Sequence, residues 1–164
     1  MKRFIYLISP KKINKNFYHN LTKILKYKKI KYFQLRLKKI PKTEIVKTAK
    51  KIKKITKKFN VKLIINDNPQ IAKKVNADGC HLGQLDESVA NARKLLKKKI
   101  IGITCHGSIK LVNKEIKNDP NYIAVGSFFK SKLKPNAKKA NTKIIKQIIK
   151  KTKIPVVAIG GIND

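Results

Sequence analysis

Acidic residues are scarce in this chain: eight Asp and Glu stand against 42 Lys and Arg, for a net charge of +34 over 164 residues. A surplus of that size suggests nucleic acid as a partner. Arginine, however, occurs only at Arg3, Arg36 and Arg93. Surfaces that read bases or clamp phosphates favour its rigid fork over the lysine ammonium. The lysines are spread along the whole chain beside abundant Ile and Asn, the pattern of a solvated surface. No specific nucleic-acid partner is expected, only weak, salt-sensitive adhesion to polyanions.

Cysteine is equally sparse. Cys80 and Cys105 each lie in an apolar segment directly before a histidine, too few for a disulfide framework. Two buried thiols on strands are expected rather than a metal pair. Long apolar runs are missing too: no stretch of 18 residues reads as a membrane span. The opening MKRFIYLISPKK has too short an apolar stretch for a secretory signal, and no small-residue cleavage site follows. The cytoplasm is the default location, with no membrane partner.

What the chain does have is alternation. Short runs rich in Ile, Val, Phe and Tyr are separated by lysine-rich segments of helical period. Strands are predicted at Phe4–Ile8, Tyr32–Leu37, Lys62–Ile65, Gly79–His81, Ile100–Thr104, Tyr122–Val125 and Val156–Ile159. Helices are predicted at Asn16–Tyr27, Lys42–Lys58, Pro69–Val75, Val89–Leu96, Ile109–Lys117 and Thr142–Lys151. Strands apolar on both faces argue for a parallel sheet. Polar residues recur at the C-terminal ends of many successive strands, which favours a (β/α)₈ barrel over a doubly wound sheet. A full barrel runs to roughly 200–250 residues. The expectation is therefore one α/β domain over residues 1–164, an incomplete TIM barrel lacking its last βα unit, with two strand edges unpaired.

The few acids are informative by position. Asp67 follows the strand in LIIND, and Asp86 lies just beyond the short strand in GCHLGQLD. Two readings stand: the pair shares a Mg²⁺ completed by substrate phosphate, or each caps the helix that follows. Gln34, Arg36 and Lys38 alternate along FQLRLK and so share one face of a strand. Inward-facing cations need an anion, so they form either a polar layer or a diphosphate clamp, the latter favoured. Thr104 and His106 end IIGIT and its extension, each weak evidence alone. The loop GSFFKSKLKPNAKKAN is long and basic, and VVAIGGI offers two glycines for close approach to a phosphate.

In order and spacing, YLISP, FQLRLK, LIINDNPQIAKKVNADGCHLGQLD, IIGITCH, YIAVGSFFKSKLK and IPVVAIGGI resemble the motifs of the thiamine-phosphate synthase family. The resemblance implies condensation of a hydroxymethylpyrimidine diphosphate with a thiazole phosphate, giving thiamine phosphate and pyrophosphate. It also implies that Gln34, Leu35, Arg36, Leu37, Lys38, Asn66, Thr104 and Lys134 hold the pyrimidine diphosphate. Asp67 and Asp86 would bind Mg²⁺, while Ser131, Lys132, Leu133 and Gly161 would meet the thiazole phosphate. Arg36, Lys38 and Lys134 would assist catalysis by stabilising the leaving pyrophosphate. Leu133 departs from the family's usual threonine, and the family's second phosphate segment, on strand eight, has no counterpart. The implied alternatives are an inactive barrel that only binds the pyrimidine diphosphate, or the related thiazole tautomerase branch. The implied partners are the small-molecule substrates, with homo-oligomerisation left open.

Overall fold

The computed structural model describes residues 4–129 and 139–162. The first half runs β1 (Ile5–Ile8), α1 (Phe17–Ile24), β2 (Ile30–Leu35), α2 (Lys42–Lys58), β3 (Lys62–Asn66), α3 (Pro69–Lys74) and β4 (Gly79–Leu82). It continues with α4 (Val89–Leu96), β5 (Ile100–Thr104), α5 (Ile109–Glu115), β6 (Tyr122–Val125), α6 (Lys143–Lys151) and β7 (Val156–Ala158). Every strand pairs in parallel with its neighbour in sequence, in the order β1 to β7. The result is the TIM-type α/β barrel expected, nearly closed, with seven strands and six α-helices among the described residues.

Side-chain parity along the strands separates two interiors. Leu35, Leu63, Ile65, Cys80, Leu82, Ile101, Ile103, Ile123 and Val125 face outward and form one apolar core with the helices. The α2 stripe reaches this core through Ala49 and Ile52, both fully buried. Each such Leu or Ile contributes about 2 kcal/mol by leaving water. The alternate positions face the barrel axis, and this inner face is not uniformly apolar. It carries Tyr6, Tyr32, Gln34, His81 and Tyr122 beside Ala124 and Val157.

Several element ends differ from the sequence reading by one to three residues, and two of them have a clear local reason. β2 stops at Leu35 because the Arg36 N–H donates to Ser9 Oγ at 2.9 Å instead of extending the ladder. The helix predicted to Lys117 tightens to a 3₁₀ turn over Ile116–Asn118. Pro120 follows, and the left-handed Asp119 (φ 50°) cannot continue a helix into it.

Candidate active site

The strands deliver their C-terminal ends to one pocket of about 1020 Å³. Gln34, Arg36 and Lys38, then Asn66 and Asp67, Asp86, Thr104 and His106 all line it. Gly126 and Ser127 beyond β6, and Ile159 and Gly160 beyond β7, close the circle. Gly160 and Gly161 take positive φ (94° and 68°), and a Cβ at Gly160 would run into Ser127. Glycine is needed there for close approach of two backbones.

Neither aspartate caps a helix. The α3 cap is Asn68, whose Oδ1 accepts from Ile71 N at 2.8 Å. The α4 cap is Ser88, accepting from Asn91 N at 3.1 Å. The capping alternative is therefore overturned, and both carboxylates are left to the pocket. Asp67 sits in the left-handed region (φ 63°), its N–H donating to His81 O at 2.7 Å. That conformation costs a non-glycine residue about 1 kcal/mol and turns the carboxylate into the pocket. Lys38 Nζ lies 3.1 Å from Asp67 Oδ2. Asp86 Oδ2 accepts from Gly83 N at 2.7 Å. Burial raises the Asp86 carboxyl above its ordinary value; the Gly83 N–H opposes this, and the neighbouring Asp67 adds to it. The two carboxylates share the pocket, and among the described residues Lys38 forms an ion pair with Asp67.

Arg36 and Lys38 correct the sequence reading in one respect. Because β2 ends at Leu35, they lie beyond the strand on the pocket rim, with the Lys38 side chain 53% exposed. They reach the pocket from solvent and are not buried cations. Gln34 alone of the three is deeply buried (4% exposed). Leu35 and Leu37 turn to the opposite face, where they pack in the helix core and line a separate hollow of about 330 Å³. Only their backbone is on the pocket side. Ser131, Lys132, Leu133 and Lys134 lie outside the described residues. Cys80 and Cys105 are both fully buried, as expected. Burial pushes the Cys105 thiol up to about 12 and the Cys80 thiol higher still.

A hydrogen-bonded line crosses the barrel axis at the pocket floor, which Tyr6, Gln34, His81 and Thr104 line. Gln34 Nε2 donates to Tyr6 Oη (3.0 Å), which lies 2.7 Å from Tyr122 Oη. Tyr122 Oη is 2.8 Å from His81 Nδ1, and His81 Nε2 is 2.8 Å from Thr104 Oγ1. The His81 and Tyr122 rings stack at 5.6 Å and 12°. Gly102 makes room for Tyr122, since a Cβ there would overlap the ring. The sequence reading missed His81, Tyr6 and Tyr122. Inward parity was the available signal: His81 alternates with Gly79, and Tyr122 with Ala124.

Comparisons with known proteins point to one family. The family model described as thiamine monophosphate synthase matches residues 5–164. The thiamine-phosphate synthase of Pelagibacter ubique is 52% identical over 163 residues, covering 99% of this chain and 79% of that protein. That of Clostridium acetobutylicum is 37% identical, covering 98% and 76%. A solved thiamine phosphate pyrophosphorylase from Pyrococcus furiosus superposes with a TM-score of 0.86 at 27% identity, covering 98% of this chain and 76% of that one.

Proposed function

The chain belongs to the thiamine monophosphate synthase family, and from that premise we propose that it is a thiamine-phosphate synthase whose chemistry runs in the pocket at the strand ends. It transfers the pyrimidinylmethyl group of a hydroxymethylpyrimidine diphosphate to the nitrogen of a thiazole phosphate: the CH₂–O bond to the diphosphate breaks, a CH₂–N bond forms, and pyrophosphate leaves. The observation that carries the site assignment is the meeting of Arg36, Lys38, Asn66, Asp67, Asp86 and Thr104 in one pocket.

The donor set fits Mg²⁺. Asp67 and Asp86 are hard oxygen ligands, and two carboxylates plus substrate phosphate oxygens are a usual shell for this ion. When bound, Mg²⁺ neutralises charge on the departing pyrophosphate. Arg36 and Lys38 would hold the same oxygens, where a preorganised cation counts most as charge develops. Lys38 is the counter-ion of Asp67 in the structure. Asn66 and Thr104 give neutral polar contacts to the pyrimidine diphosphate, and the backbone at Gly160–Gly161 gives room for the second phosphate. The pyrimidine carries the developing cation, so the protein needs no nucleophile. The buried, protonated thiols of Cys80 and Cys105 are consistent with that.

The test is direct. Purified protein with Mg²⁺ and both substrates should release pyrophosphate and form thiamine phosphate in equal amounts. Thiazole isomerisation with no pyrophosphate would instead favour the tautomerase branch and sink the assignment.

A further inference from the structure

The line from Gln34 to Thr104 can carry its protons in either of two orders, and its Gln34 end is fixed. The Gln34 amide nitrogen has only protons to give, so Tyr6 Oη accepts from it. A phenol carries one proton; one order sends the Tyr6 proton to Tyr122 Oη, 2.7 Å away, whereas the reverse order leaves it for the pocket. In the first order Tyr122 gives its own to His81 Nδ1. A neutral imidazole with an acceptor at Nδ1 carries its proton on Nε2 and donates it to Thr104 Oγ1. Thr104 is thereby an acceptor toward the barrel interior, and its own proton is left for the pocket it lines. Burial raises both phenols well above the usual tyrosine range, Tyr122 further because of Tyr6 beside it, so neither breaks the line by ionising. At the other end Gln84 Nε2 donates to Thr104 O at 2.7 Å, fixing the backbone from which the hydroxyl projects.

We propose that Tyr6, Tyr122 and His81 are positioning residues that hold Thr104 as a hydrogen-bond donor toward an acceptor atom of the pyrimidine diphosphate. The identity of that ligand rests on the synthase reading; the direction of the line does not. A substrate presenting an N–H to Thr104 would meet a second donor and be disfavoured, so the line selects as well as binds.

Long-range ¹H–¹⁵N spectra of labelled protein distinguish the two neutral imidazole tautomers. The chain has three histidines, and His81→Asn assigns the signal. Wild-type His81 is expected to be protonated on Nε2. Tyr122→Phe keeps the ring and its stack but removes the donor to Nδ1. It should mix the tautomers and raise KM for the pyrimidine diphosphate about tenfold, the worth of one net hydrogen bond, with a smaller effect on kcat. Thr104→Val should cost the same factor, and Thr104→Ser should retain the wild-type value. The double variant Y122F/T104V should be no worse than Thr104→Val alone, because Tyr122 acts only through that hydroxyl. An Nδ1–H tautomer in the wild type, or additive losses in the double variant, overturns the proposal. The wild-type spectrum decides the direction even where Tyr122→Phe does not fold. Without turnover, calorimetric Kd replaces KM: an Nε2–H tautomer with tight, Thr104-dependent binding faults the synthase reading and leaves the line standing. No binding of the pyrimidine diphosphate at all overturns both.

Discussion

Replacing Gly102 by alanine measures how firmly the barrel axis holds Tyr122. A methyl at this position would enter the space of the Tyr122 ring. The ring is 3% exposed and stacked on His81, and its hydroxyl is shared between Tyr6 and His81. It cannot step aside without losing one of those partners. Overpacking of this kind costs about 1–3 kcal/mol. A buried phenol left short of a partner adds a further penalty of about 1–3 kcal/mol. The expected loss is therefore about 3 kcal/mol, in the lower half of the combined range of about 2–6 kcal/mol. For a chain of this length that lowers Tm by roughly 6–12 °C. With a urea slope of about 2 kcal/mol per molar, the midpoint falls by about 1.5 M. Urea titrations followed by far-ultraviolet circular dichroism give both midpoint and slope. Tyr122→Leu in the same background relieves the overlap, so the double variant should be less unstable than the sum of the single losses by about 1 kcal/mol or more. A loss for Gly102→Ala under about 0.5 kcal/mol, or strict additivity, would show that the interior yields and that the close fit is unimportant.

Asp86→Asn should abolish any stabilisation by Mg²⁺ in thermal melts. In the metal-free protein the raised Asp86 carboxyl contributes stability that is present below its unfolded pKa and lost as pH rises through the higher folded value. The variant should accordingly be more stable than wild type at pH 7, by at most about 1 kcal/mol, with the difference shrinking in acid; a difference that widens in acid would contradict the assignment. Lys38→Met removes the ion pair with Asp67, but with the lysine side chain 53% exposed it should change stability by less than about 1 kcal/mol. Its KM for the pyrimidine diphosphate should nevertheless rise at least about tenfold, as loss of a charged hydrogen bond implies; an unchanged KM would remove Lys38 from the site. Cys80 and Cys105 should be unreactive toward a chromogenic aromatic disulfide at pH 8 until urea unfolds the chain. Rapid labelling of the native protein would mean that one strand opens readily.

Most of the architecture was legible because βα alternation writes itself in apolar periodicity. Four elements, Lys42–Lys58, Val89–Leu96, Ile100–Thr104 and Tyr122–Val125, carry the bounds that the pattern predicts. The ends that slipped depend on partners distant in sequence. No pattern within FQLRLK indicates that Ser9 would intercept the Arg36 backbone and stop β2 early. The same slip moved Arg36 and Lys38 from a buried strand face to a rim, so that solvent-reaching arms stand where desolvated charge was expected. The acids were legible as a pair, but that neither caps a helix was not, since that turned on Asn68 and Ser88 taking the caps. The tyrosine–histidine line was hidden because each member, read singly, looks like an ordinary strand residue. Only the closing of the barrel brings Tyr6 within 2.7 Å of Tyr122, 116 positions along the chain.

The neighbour-by-neighbour pairing of the strands also shapes how the chain can assemble. Ile5 meets Ile30, Tyr32 meets Lys62, and Ile64 meets Gly79, so each new strand docks on the one just formed. Loop closure is therefore short at every step, and a chain emerging from the ribosome can add units in the order in which they are made. The exception is the contact between Tyr6 and Tyr122, which must wait until β6 has emerged. The sheet can thus be laid down progressively while the polar seam along its axis forms late. Folding should accordingly show an early gain of secondary structure and a slower locking of the tyrosines at the centre.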